Sequence, residues 1–200
     1  MKTRVSKVAS SCFYQLYHLR QIRRLIGQEV AAQLVSTFIL SRLDCCNSVL
    51  VGLPRCTTEP LQHVPNASAQ LVLNLRLCDH VTTALQQLHW LPIEHRITYE
   101  LCLIMQPVHT NCVPQYLSDI IQTVSLDSCS NSRPGLRSSN TAISVKPRCR
   151  TKFGEHSFCH AGPTEWNSFP HHFHPISDTG LFKCCLKTEL FGRAYTAYDS

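Results

Sequence analysis

The 200-residue sequence predicts a mainly α protein: a helical bundle followed by a small α+β C-terminal region. Three observations point there. Apolar residues recur at steps of three and four through most of the first 122 positions, the period of helices with one buried stripe. Proline and glycine sit at the borders of those stretches, where helices start and stop. Only the chain beyond a serine-rich stretch, with six serines between 123 and 139, offers short β-like runs.

Val5, Val8, Cys12, Leu16, Leu19, Ile22 and Ile26 place one apolar stripe on a first helix that Gly27 ends. A second helix over 28–43 buries Val30, Leu34, Val35, Phe38 and Ile39, so the first 43 residues form a helical hairpin whose tip carries Arg20, Arg23 and Arg24. After the short run 47–54, Thr58 and Pro60 mark a third helix. Pro65 must either kink that helix or delay its start, because proline lacks an amide hydrogen and clashes with the preceding turn. Asp79 is placed to cap a helix reaching about Leu88. Pro92 opens another with Ile93, Ile97, Leu101 and Ile104 on one side, and Pro107 closes it. A short helix fits 114–122. In the C-terminal part, 142–145 and 153–158 suit short strands, and Asp178 is placed to cap a last helix burying Leu181, Phe182, Cys185, Leu186 and Leu190. The expected organisation is a helical region over 1–122, a Ser-rich linker over 123–140 and a small α+β tail over 141–200.

With 44% hydrophobic residues, 7 glycines and 16% charged residues, the chain is too apolar for a disordered tail and has no collagen repeat. It lacks the run of about 20 apolar residues that a membrane-spanning helix needs, and its first 26 positions lack a signal-peptide core. An intracellular, soluble protein is the expectation. Twelve cysteines include two adjacent pairs but no C-x-x-C, so no zinc knuckle is expected and most thiols should be reduced and unliganded. A metal site built from Cys149, Cys159, His160, His171, His172 and His174 has neither knuckle spacing nor freedom from flanking proline. Serine, cysteine and histidine are abundant, but no nucleophile motif frames them.

The net charge of +6 hides a partition. Residues 1–24 hold Lys2, Arg4, Lys7, Arg20, Arg23 and Arg24 with no acid. Residues 133–152 hold Arg133, Arg137, Lys146, Arg148, Arg150 and Lys152, again with none, while the rest of the chain is net acidic. Acid-free cationic islands neutralise phosphates and release counterions, the origin of sequence-independent affinity for DNA or RNA.

Several words arrive in order: IRRLI (22–26), FILSRLDCCNSVLVGLP (38–54), LQHVPNASAQLV (61–72), DHVTTALQQLHWLPIEHRI (79–97), PQYLSDI (114–120), RCRTKFGEHSF (148–158), PTEWNSFP (163–170) and LFKCCLKTELF (181–191). Together they resemble the region downstream of the polymerase palm in reverse transcriptases of non-LTR retrotransposons of the jockey and chicken-repeat superfamily. The resemblance implies a helical thumb and C-terminal tail that lie on a primer–template duplex and contact its backbone, with RNA–DNA hybrid, RNA or DNA as partner. It implies Arg20, Arg23 and Arg24 as phosphate contacts, with Arg148, Arg150 and Lys152 as a second strip. It also implies a catalytically incomplete piece. Polymerases of this kind use paired carboxylates holding Mg2+ ions, whereas no two acids are adjacent here and Asp44 stands alone, placed to cap or to pair with Arg42. No catalytic residue, metal or cofactor of its own is therefore expected. Where the family has Arg, Gln and Arg, this chain has His63, Pro65 and Gln70, and Cys45 replaces a usual Tyr, as single-base decay of an element copy would leave them. Helix faces that would pack on a palm imply self-association as the alternative to nucleic-acid binding.

Overall fold

The computed structural model describes residues 2–45, 47–76, 79–110, 112–121 and 144–196, with the backbone alone for 152–153. Among the described residues its regular elements are helical, mostly α, joined by turns. The helices are α1 (Lys2–Ile22), α2 (Gln28–Val35), α3 (Ser41–Asp44), α4 (Arg55–Leu73), α5 (Val81–Gln87), α6 (Ile93–His109), α7 (Gln115–Ile120), α8 (Lys152–Glu155), α9 (Phe158–Asn167) and α10 (Thr179–Tyr195). Contacts gather them into two compact units, one of 1–97 with 190–200 and one of 98–189, so the division falls within α6 and α10. The linker expected over 123–140 lies outside the described residues.

In the first unit α1 packs along α4. Val5, Ala9, Cys12, Leu16 and Leu19 of α1 and Leu61, Val64, Ala69, Leu71 and Val72 of α4 are buried. The second arm of the hairpin differs in register from the expected one. Its buried residues are Ala31, Val35, Ile39 and Leu43, while Val30 and Phe38 are exposed. Steps of four overrun an α turn by about 40° each. A π-helical stretch at Ser36–Leu40, between α2 and α3, takes up that drift and keeps the apolar edge facing inward.

Proline and aspartate account for the other departures. Pro65 neither delays α4 nor ends it: the helix starts at Arg55 and runs through both Pro60 and Pro65. Pro65 is itself buried among the apolar residues that α4 packs inward, and that burial offsets the missing hydrogen bond. Pro107 likewise lies inside α6, which continues to His109. Asp79 does not cap α5, because its carboxylate accepts the Arg76 amide hydrogen at 2.7 Å, and His80 precedes the helix. Asp44 pairs not with Arg42 but with Arg96, one of whose terminal nitrogens donates to both carboxylate oxygens at 2.6 and 2.7 Å, tying the hairpin to the start of α6. Arg42 donates to Ser11 instead. The Gln62 side chain accepts the Ile93 amide hydrogen at 2.8 Å and so caps α6 from α4.

The second unit contains no strand among the described residues: of the strand expected over 142–145, residues 142–143 lie outside the described residues and Ser144 makes an isolated bridge, while 153–158, also expected as a strand, runs from α8 through a turn at 156–157 to the first residue of α9. Trp166, with 2% of its surface exposed, is the core. His109 stacks on its indole with ring centres 4.6 Å apart and planes 9° from parallel, His174 lies 5.2 Å away, and Phe182 packs at 5.7 Å. Gly162 lets α9 approach α6: a Cβ there would meet the Met105 sulfur at 2.8 Å. Asp178 caps α10 as expected, accepting the Gly180 amide hydrogen at 2.9 Å. Among the described residues no helix is long and apolar enough to cross a membrane.

Two predictions follow from these contacts. Asp44→Asn removes the charge that Arg96 grips, so it should cost about 1–2 kcal/mol, or roughly 2–8 °C in Tm, in thermal unfolding at neutral pH. The histidine–tryptophan stack gives a pH dependence. Burial pushes His109 from its ordinary pKa of 6.5 down to about 4, with the neighbouring His174 adding to the effect; burial lowers His174 as well. Between about pH 6.5 and 4 the unfolded chain holds more protons at these rings than the native one, so stability rises with pH there. It is complete above pH 6.5 and lost as the pH falls toward 4, and Tm should drop between pH 7 and pH 5, less so in His109→Phe.

Candidate nucleic-acid interface

The hairpin tip is built differently from a continued helix. α1 ends at Ile22, four residues before the expected end, and the chain turns with the Leu25 amide donating to the Ile22 carbonyl at 2.9 Å. Arg20 therefore lies in the last turn of α1, where a cation complements the helix dipole, and Arg23 and Arg24 lie in the turn beyond it. Gly27 opens α2.

The tip meets the C-terminal end of α4. That helix stops at Asn74, which adopts the left-handed conformation at φ 53° and ψ 41°. The Leu75 amide returns to the Gln70 carbonyl at 2.9 Å and the Asn74 amide to Leu71 at 3.4 Å, the paired bonds of a Schellman ending. Arg23 completes it from outside. Its Nε donates to the Leu71 carbonyl at 2.8 Å, one terminal nitrogen to Val72 at 2.7 Å and the other to Ile26 at 2.9 Å. One guanidinium thus binds the last carbonyls of α4 and the turn that carries it.

Arg20 and Arg24 remain exposed. With Gln21, Arg23, Gln70, Leu71, Asn74 and Leu75 they line an open cleft of about 390 Å3. Among the described residues no carboxylate lines it. The end of a helix carries partial negative charge that would repel a phosphate; Arg23 cancels that charge at α4, so the cations on either side of it face an anion unopposed. The amide side chains of Gln21, Gln70 and Asn74 add neutral donors, and guanidinium groups suit the paired oxygens of a phosphate. A second cavity of about 370 Å3, along α4 and α5, mixes Arg55 with Glu59 and Glu94 and so lacks this bias.

Each sequence-predicted cation has a place. Arg20, Arg23 and Arg24 come together on one cleft, but Arg23 is engaged with backbone carbonyls. Arg148 and Arg150 are exposed in a stretch of the other unit without regular secondary structure, and Lys152 is the first residue of α8, its side chain outside the described residues. Among the described residues no three His, Cys, Asp or Glu side chains converge as a metal ion would require; His174 of the histidine cluster packs on Trp166 instead. Cys12 is buried with its thiol pKa raised by that burial. Gln21, Gln70 and Asn74 are the lining residues that sequence reasoning missed. Asn74 carried a signal, since asparagine directly after an apolar helical run is a stop that tolerates φ > 0. Comparison with family models, curated proteins and solved structures gives no match for this chain.

Removing the clamp separates structure from charge. Arg23→Met should destabilise by about 1–3 kcal/mol, since it leaves helix-end carbonyls of α4 and the turn without their donor, whereas Arg20→Ala should change stability by about 0.5 kcal/mol or less. Chemical denaturation of the two variants checks the difference.

Proposed function

We propose that this chain binds the sugar–phosphate backbone of nucleic acid without sequence preference, through Arg20 and Arg24 held beside the end of α4. The observation that carries the reading is the cleft itself: among the described residues it is lined by three arginines and side-chain amides with no acid, and the end carbonyls of α4 are bound by Arg23. The resemblance to the thumb and tail of non-LTR retrotransposon reverse transcriptases supports it and implies the ligand class: an RNA–DNA hybrid, RNA or DNA. On this reading the chain contributes binding and no chemistry. It is a catalytically incomplete polymerase fragment, and Mg2+ belongs to the palm of a full-length relative. Arg148, Arg150 and Lys152 are a second backbone strip. Soluble and intracellular placement goes with this role.

Self-association through apolar helix faces is the competing reading, favoured by Leu25, Val30 and Phe38, which are 85%, 46% and 48% exposed. Salt separates the two. For backbone contacts the logarithm of affinity falls linearly with the logarithm of salt, by about 0.9 per phosphate on duplex. In a salt series on a labelled RNA–DNA hybrid, Arg20→Ala/Arg24→Ala should lose affinity and show a slope shallower by roughly 2. An unchanged slope, or folded protein that fails to bind at low salt, refutes the proposal; a mass that rises with concentration and ignores salt favours self-association.

A further inference from the structure

The outer face of α1 carries a feature that neither the core nor the arginine cleft uses. Tyr14 and Tyr17 are 62% and 63% exposed, and Phe13 is 41% exposed. The His18 ring meets Tyr14 edge-on at 4.5 Å and Tyr17 edge-on at 5.6 Å, so the three rings form one exposed aromatic patch. At about 100° per residue, the buried stripe of Val5, Ala9, Cys12, Leu16 and Leu19 lies opposite Tyr14, which therefore sits at the centre of the solvent face. Tyr17 and Gln21 continue that face toward Arg20 and Arg24.

Charge selects the occupant. The first acid of the chain is Glu29, so every charged side chain on α1 and its following turn is a cation. A partner docking on these rings meets cations toward both ends of α1 and no acid on that helix, and a polyanion with flat apolar surfaces matches both features. Bases in a duplex stack on one another and hide those surfaces; unpaired bases present them to aromatic side chains. Tyr14, Tyr17 and Arg20 follow at intervals of three residues, each about 4.5 Å further along the axis and turned about 60° around it, so the two rings and the arginine form one oblique row on α1.

We propose that Tyr14 and Tyr17 form a stacking platform for unpaired bases, so that beside a duplex the arginine site also takes a single-stranded nucleic acid whose backbone runs on from the rings to Arg20 and Arg24. This inference rests on the backbone-binding reading and adds the class of strand.

The test compares wild type, Tyr14→Ala/Tyr17→Ala, Tyr14→Phe/Tyr17→Phe and Arg20→Ala/Arg24→Ala against a labelled short oligouridylate and an RNA–DNA duplex of equal length. Loss of the two rings should weaken oligouridylate binding about tenfold or more while duplex affinity stays put, and the phenylalanine pair, which keeps the ring faces, should bind like wild type. An alanine pair that binds oligouridylate as well as wild type does, or loses equally on both ligands, overturns the platform, as does a phenylalanine pair that behaves like the alanine one. If the arginine pair weakens both ligands while the tyrosines weaken neither, the platform alone fails. If the arginine pair weakens neither, the backbone-binding reading fails and the platform with it.

Discussion

The first unit depends on one guanidinium. Arg23 leaves the end of α1, reaches across to the last carbonyls of α4 and bonds back to its own turn at Ile26. Of those carbonyls, Leu71 also accepts the Asn74 amide hydrogen at 3.4 Å, and a helix-end carbonyl left without a donor costs free energy. Charge-assisted bonds from a guanidinium are a strong solution. The clamp also fixes where the hairpin turns, and hence where Arg20 and Arg24 stand. Asp44 on Arg96, at the far end of the same hairpin, and Gln62 on the first turn of α6 anchor the neighbouring helices in the same manner, by a side chain reaching across to another element.

This division of labour separates three residues that look alike in the sequence. Arg23 holds structure, and Arg20 and Arg24 are left to face solvent and ligand. A cleft at a helix C-terminus is ordinarily a poor place for a phosphate, since the helix presents oxygen atoms and negative charge. Here the clamp offsets that polarity, and no carboxylate among the described residues lines the cleft. The exposed tyrosines of α1 lie on the same cationic helix, so apolar and ionic recognition share a surface.

Much of the helical order was legible in the primary structure. The stripe of α1, the proline before α6 and the aspartate capping α10 are local signals, and each acts within a turn or two of its own position. What could not be read was decided by distant partners. The register of α2 shifts because a π stretch lets Ala31, Val35, Ile39 and Leu43 share one edge, an economy set by packing on α1 and α4. Pro65 and Pro107 stay within helices because burial outweighs their local cost. Phe153 to Phe158 has a strand's composition, yet the same segment folds as α8 and the start of α9, with the N–H of Gly154 accepted by Thr151. At the site, composition located the cationic tip; that one of its arginines would be taken by carbonyls 48 and 49 residues away had no local signature.

The account stands or falls on the different states of the three arginines. Arginine-directed chemical modification followed by peptide mass spectrometry, with and without an RNA–DNA hybrid, reads all three at once. Arg20 and Arg24 should react readily in the free protein and be protected by the hybrid, while Arg23 should react slowly in both conditions. Rapid modification of Arg23 in the free, folded protein would contradict the clamp, and equal reactivity of Arg20 and Arg24 with and without the hybrid would contradict the cleft as the place where nucleic acid binds.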